Sequence, residues 1–338
     1  MSAAAPDRPT RLTPRAVLVG LAAIVGAFLL GSLIGPVHIP FGMAIKWLFG
    51  STTALTDRQA DILIAVRLPR VVLGGLVGSM LALAGASYQG VFRNPLADPY
   101  LLGVAAGAGL GATVAISVGA APAVLPAAAF AGAIIAVAAT YALGRSVGQR
   151  STTTLILAGV AMASFLTAVQ TYVQQRHTDT LREVYAWILG RLSTSGWREV
   201  LLILPYLAFG GTVILLHRRM LDVLSLGEEE ASALGVPVQR VRLLVVGAAT
   251  LGTAAAVAVS GLIGFVGIII PHAIRLVTGA SYRVILPLSA MFGAAFLIVA
   301  DLTARTVLSP AELPIGVVTA FLGAPFFMLV LRTARGLR

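Results

Sequence analysis

Residues 221–242 read LDVLSLGEEEASALGVPVQRVR, with long runs of Ala, Val, Leu, Ile and Gly on either side. Three carboxylates stand in a row at Glu228, Glu229 and Glu230. A charge at the centre of a bilayer costs at least ~2.5–3.5 kcal/mol, so this stretch does not sit in hydrocarbon. Acidic groups do suit the first turn of a helix, where they face the positive end of the macrodipole. Gly227 precedes that turn, and Gly235 followed by Pro237 is the order of a helix stop. The pattern predicts two short helices, about Asp222–Leu226 and Glu228–Leu234, joined at Gly227. Leu221, Leu224, Leu226, Ala231 and Leu234 supply the apolar contacts. Two readings suit it: a solvated linker, or a folded elbow on which a soluble partner docks.

The 338 residues around this elbow are 58% hydrophobic and 11% charged. Soluble domains carry roughly 25% charged residues, so this is an all-α polytopic membrane protein rather than a soluble domain. Cysteine is absent, which excludes disulfides and thiolate metal sites. The net charge of +11 does not indicate nucleic acid, because the arginines are scattered between apolar runs instead of forming a stripe. Lys46 is the single lysine, and no Gly-Lys-Ser/Thr occurs, so a phosphate-binding loop is excluded. If ATP drives this protein, another chain binds it.

Ten spans are expected: about Ala16–Ile34, Val71–Tyr88, Leu101–Val118, Ala123–Leu143, Thr153–Val173, Val200–Leu216, Leu243–Val259, Phe265–Val277, Val284–Ala300 and Val317–Leu331. An amphipathic piece, Phe41–Phe49, separates the first two. Residues 1–15 form a polar tail without a cleavable signal pattern, and residues 16–338 form one membrane domain. With the N-terminus inside, fifteen of the 24 Lys and Arg fall on the inner side. That bias agrees with the positive-inside rule and places both termini and the elbow in the cytoplasm. Glycine recurs along the spans, as at Gly74, Gly75, Gly78 and Gly85, where small residues let helices approach closely. Pro95, Pro99, Pro271 and Pro325 interrupt apolar stretches, which favours a transporter over a simple anchor.

Several stretches together carry a resemblance. They are Arg67-Leu-Pro-Arg70, Tyr88-Gln-Gly-Val-Phe-Arg-Asn-Pro-Leu-Ala-Asp-Pro99, Trp187-Ile-Leu-Gly190, Leu226-Gly-Glu-Glu-Glu-Ala-Ser-Ala-Leu-Gly235, Pro271-His-Ala-Ile-Arg275, Glu312-Leu-Pro-Ile-Gly316 and Gly323-Ala-Pro-Phe-Phe327. In this order the chain resembles the FecCD-type permease subunits of ATP-binding-cassette importers for iron siderophores, haem and cobalamin. The resemblance implies a homodimer of ten-helix subunits in the bacterial plasma (inner) membrane. Two cytoplasmic ATPase subunits would sit beneath it, and an extracytoplasmic binding protein would dock above. It implies no cofactor on this chain, with ATP and magnesium on the partner.

The resemblance also assigns residues. Arg67, Arg70 and Arg305 match arginines that pair with glutamates of the binding protein, a task that suits the bidentate guanidinium fork. Leu224, Leu226, Gly227, Glu228, Glu229, Glu230, Ala231, Leu234 and Gly235 match the element that couples to the ATPase, with Leu224 and Leu226 expected to carry more affinity than the carboxylates. Asn94, Pro95 and Asp98 end one span and start the next, either capping exposed backbone N–H groups or forming an inner gate. Arg176, Arg182 and Arg191 lie near the outer mouth, placed to meet an anionic chelate. Two departures stand out: Gly261-Leu262 before the Ile-Gly-Phe motif, and Arg191 where many relatives have serine. His272 reads as a hydrogen-bonded structural residue, because no cluster of metal ligands surrounds it.

Two other classes compete. An ion-coupled secondary transporter of a small solute needs carboxylates inside its spans, and Asp98 and Asp301 fall only at ends. An intramembrane enzyme needs a catalytic set, and the spans hold no paired carboxylates or Ser–His–Asp arrangement.

Overall fold

The computed structural model describes residues 11–35, 37, 39, 40, 42, 43, 46, 50, 55–146, 152–192 and 196–335. Most of the 1–15 tail and most of Phe41–Phe49 lie outside the described residues. All regular structure among the described residues is helical. The helices are α1 (Pro14–Leu33), α2 (Asp57–Val91), α3 (Val104–Ser117), α4 (Leu125–Ser146), α5 (Thr152–Arg176), α6 (Leu181–Ile188) and α7 (Arg198–Leu216). After them come α8 (Arg218–Leu224), α9 (Glu228–Ala233), α10 (Val238–Ser260), α11 (Val266–Thr278), α12 (Tyr282–Thr306) and α13 (Ile315–Arg335). Each of the ten expected spans meets one of the longer helices. Among the described residues seven helices are long and apolar enough to cross a membrane, and three shorter apolar ones accompany them.

α2 is the central post. It packs against α12, α10, α11 and α7, while α3 packs against α4 and α5. Its interior residues Leu73, Val77, Met80, Leu81 and Tyr88 are fully buried. Peripheral helices bear exposed apolar side chains instead, such as Leu18 on α1, Leu157 and Phe165 on α5, and Leu201 and Phe209 on α7. In a bilayer those faces meet acyl chains at no hydrophobic cost. Glycine sets the closest contacts: a Cβ on Gly78 of α2 would strike the Gly293 carbonyl of α12, and one on Gly107 of α3 the Gly132 carbonyl of α4.

α2 starts earlier than Val71. Thr56 and Gln59 form a capping box at its start, with the Thr56 hydroxyl accepting from the Gln59 N–H at 3.3 Å. A π-turn over Ile62–Arg67 then brings the chain to Pro69, where the regular helix resumes.

α3 and α11 have 14 and 13 residues. At 1.5 Å per residue each covers about 20 Å, short of a ~30 Å hydrocarbon core. The irregular segments that lead into them meet: the Tyr100 hydroxyl donates to the Ile263 carbonyl (2.9 Å) and accepts from the Ile263 N–H (3.2 Å). Pro271 and Pro325 do not break helices as expected; they lie inside α11 and α13. Pro271 has no N–H for the carbonyl of Gly267, and the buried Gln89 of α2 supplies one from its side chain, at 3.2 Å.

Candidate functional site

The elbow is two helices, α8 and α9, with Gly227 between them. α8 begins at Arg218 rather than near Asp222, because the chain turns only at His217 on leaving α7. Glu228, Glu229 and Glu230 occupy the first turn of α9. Gly227 has φ 147°, and a Cβ there would meet the Glu230 carboxylate. α9 stops in a Schellman motif: the Val236 N–H donates to the Ala231 carbonyl (3.0 Å) and the Gly235 N–H to the Ser232 carbonyl (2.9 Å). Gly235 takes the left-handed conformation that this stop needs, φ 80°.

Two carboxylates fasten the elbow to the bundle. Asp222 accepts from the Tyr282 N–H (2.5 Å) and the Ser281 hydroxyl (3.2 Å), and pairs with Arg283 (3.1 Å). It therefore caps the first turn of α12 from a neighbouring element. Glu228 pairs with Arg242 on α10. The faces of the elbow are sharply divided. Leu221, Leu224 and Ala231 are buried inward, whereas Leu226 and Leu234 are 63% and 65% exposed, beside exposed Glu229 and Glu230. Leu224 was expected at a partner's surface; its side chain is instead used to seat α8 on the bundle. The outward apolar contacts are Leu226 and Leu234.

At the other end of the bundle, Arg67, Arg70 and Arg305 come together, but facing inward. Arg67 is 3% exposed and donates to the carbonyls of Ser32 (3.2 Å), Leu33 (2.8 Å) and Val37. It closes the C-terminal end of α1, where carbonyls lack helical partners and the dipole favours a cation. Arg305, also 3% exposed, donates to the Gly31 carbonyl and lies 3.5 Å from Asp301. Arg70 grips two carboxylates at once, Asp301 (2.8 Å) and Glu312 (2.9 Å). The docking role implied for these three needs guanidinium groups that reach outward. Here most of their donors are spent on α1, Asp301 and Glu312, because buried cations must be paired where they lie. Glu312 is the most exposed member of the cluster.

Asn94 and Asp98 do not cap α3, whose N-cap is Gly103. Each folds its own loop: Asn94 accepts from the Leu96 N–H (2.9 Å) and Asp98 from the Tyr100 N–H (2.7 Å). Pro95 lies in the turn between them. Arg176 and Arg191 occupy separate clefts. Arg176 lies over the Tyr172 ring, while Arg191 shares a cavity of about 250 Å³ with Glu183, Trp187, Arg198 and Glu199. Arg182 is exposed and lines neither. His272 is not hydrogen-bonded as expected: among the described residues neither ring nitrogen has a partner, and the ring stands 6.3 and 6.4 Å from those of Phe326 and Phe327.

The sequence model of the FecCD transport family matches residues 22–333. The chain belongs to the FecCD transport family. Among curated FecCD relatives, the ABC transporter permease YvrB of Bacillus subtilis is 42% identical over 95% of this chain and 94% of its own length. The cobalamin import permease BtuC of Halobacterium salinarum is 46% identical, covering 79% of this chain and 72% of the relative. The haemin transport permease HmuU of Yersinia pestis is 39% identical over 95% of this chain and 97% of the relative. A solved metal-chelate type ABC transporter in an inward-facing conformation superposes with a TM-score of 0.83, at 32% identity, over 95% of this chain and 100% of that one. This FecCD chain is thus the multi-pass permease subunit of an ATP-binding-cassette importer, not an ion-coupled carrier.

Residue patterns did not single out Asp222, Arg242 or Gln89 as structural anchors of this FecCD subunit. Asp222 carried a local signal, an acidic residue in a short polar stretch. Arg242 and Gln89 carried none, since their partners lie on other elements.

Proposed function

We propose that this permease imports a metal chelate of the ferric siderophore, haem or cobalamin class. It works as a homodimer in the bacterial plasma membrane, with both termini and the elbow in the cytoplasm. An extracytoplasmic binding protein delivers the chelate, and two ATPase subunits seat against the elbow. The chain itself binds no cofactor; ATP and magnesium belong to the ATPases, since this sequence has no Gly-Lys-Ser/Thr. The observation that carries this reading is the two-faced elbow. Leu226 and Leu234 point out with Glu229 and Glu230, while Asp222 and Glu228 lock the same knob to α12 and α10.

A push on the exposed face would pass through Asp222 and Glu228 to α12 and α10. α10 and α12 both pack on the central α2, and the short α11 is strung between them. Closure of two ATPases would move these helices as rigid bodies and change the opening along the dimer axis. The test uses vesicles that hold the permease with its ATPase and receive binding protein loaded with cobalamin, haemin or a ferric siderophore. ATP-dependent, vanadate-sensitive accumulation of one of the three is expected. Uptake driven by a proton or sodium gradient without ATP would overturn the reading.

A further inference from the structure

A cleft of about 250 Å³ lies at the elbow end of the bundle, between the last turns of α4, the start of α5 and the start of α10. Tyr141, Gly144 and Arg145 form one wall, Leu155 the second, and Gln239, Arg242 and Leu243 the third. The cleft exists partly because residue 144 is glycine: a Cβ there would press on Leu155 at 2.8 Å.

Its donors are unmatched. Arg242 is 4% exposed and spends one nitrogen on Glu228. Its Nε and Nη1 are buried and have no acceptor among the described residues. The Tyr141 hydroxyl is buried in the same state. Buried donors are costly unless something accepts from them, and a guanidinium adds a charge to that demand. Arg145 adds a second cation to the rim and Gln239 an amide. The remaining wall is apolar, and Leu243 is exposed.

We propose that this cleft binds the phosphate of an anionic phospholipid headgroup. The phosphate oxygens accept from one free Arg242 donor, Nη1 or Nε, and from the Tyr141 hydroxyl, Arg145 screens the charge at the rim, and the acyl chains run along Leu243. Arginine suits phosphate because its guanidinium is always charged and holds its donors in a fixed plane, and basic pockets between spans on the cytoplasmic side suit anionic headgroups. The same Arg242 then bridges lipid and Glu228, so the elbow is held to the membrane as well as to α10. The site is independent of which chelate is carried.

The full-length permease, purified and stripped of lipid, is titrated with phosphatidylglycerol and followed by native mass spectrometry. Phosphatidylcholine and inorganic phosphate serve as comparison probes. Wild type should hold one phosphatidylglycerol per chain more tightly than the rest. The Tyr141→Phe/Arg145→Gln double variant leaves Arg242 and Glu228 in place and should weaken that lipid by roughly fivefold or more. Phosphatidylcholine, whose choline cation is repelled by Arg145 and Arg242, should bind more weakly than phosphatidylglycerol to wild type. Equal phosphatidylglycerol binding by both would overturn the site. Displacement of the lipid by millimolar inorganic phosphate would overturn the lipid as its occupant in favour of a free anion. Arg145→Gln alone, on the exposed rim, provides a folded control and should show an intermediate loss.

Discussion

The amide of Gln89 donates to the carbonyl of Gly267, 3.2 Å away, the carbonyl that Pro271 leaves without a helical partner. One buried side chain of the central post thus repairs a proline break in a neighbouring helix. Gln89→Leu should lower stability by about 1–3 kcal/mol, the cost of an unmade buried hydrogen bond. Gln89→Met, of similar size, should not rescue it, since a thioether has no proton to donate. Thermal unfolding of the purified permease, followed by intrinsic fluorescence, reads both.

Leu224 and Leu226 differ by two positions and face opposite ways. Leu224→Ala should cost about 2–5 kcal/mol, because it empties a buried contact. Leu226→Asp should leave the melting temperature unchanged and abolish co-purification with the ATPase. A Leu226→Asp protein that still held its ATPase and transported normally would count against the exposed face as the docking surface.

Asp222 and Glu228 connect the elbow to α12 and α10. Asp222→Ala removes the acceptor at the first turn of α12 and should destabilise by about 0.5–2 kcal/mol. The larger effect should be functional: ATP hydrolysis persists while chelate delivered per ATP falls severalfold. Glu228→Gln should move in the same direction through the freed Arg242. Parallel assays of hydrolysis and uptake in vesicles separate coupling from assembly.

Arg67 seals α1 with three carbonyl contacts. Arg67→Ala should destabilise by about 1.5–3 kcal/mol, the range for hydrogen bonds from a charged group. Asp301→Asn should cost more, on the order of 3–5 kcal/mol, because Arg70 and Arg305 would share a buried region without their common counter-charge. Glu312→Gln, at the exposed edge, should change the melting temperature little. Unfolding curves of the three variants rank these effects, and pull-down with the binding protein shows whether Glu312 matters to docking.

Ten apolar stretches, some of them too short to span the hydrocarbon core as a regular helix, and an acidic interruption among them are local properties, and so were legible in the chain. Each helix in a bilayer must satisfy its own backbone, which ties span to sequence residue by residue. The stop at Gly235 and the acidic first turn of α9 were legible for the same reason: capping reads only a few neighbouring positions. Position within a short motif did not reveal which way a side chain faces. Arg67 and Arg305 read as outward charges until the end of α1 was seen to need them, and Leu224 read as a contact for a partner until α8 was seated on the bundle. Gln89 and Gly267 are 178 residues apart. The sequence by itself determined the class, the spans and the elbow. The pairing of Gln89 with Gly267, of Asp222 with α12 and of Glu228 with Arg242 was decided only when the helices packed, because a buried donor or charge takes whatever acceptor the tertiary fold brings within 3 Å or so, at any distance along the chain.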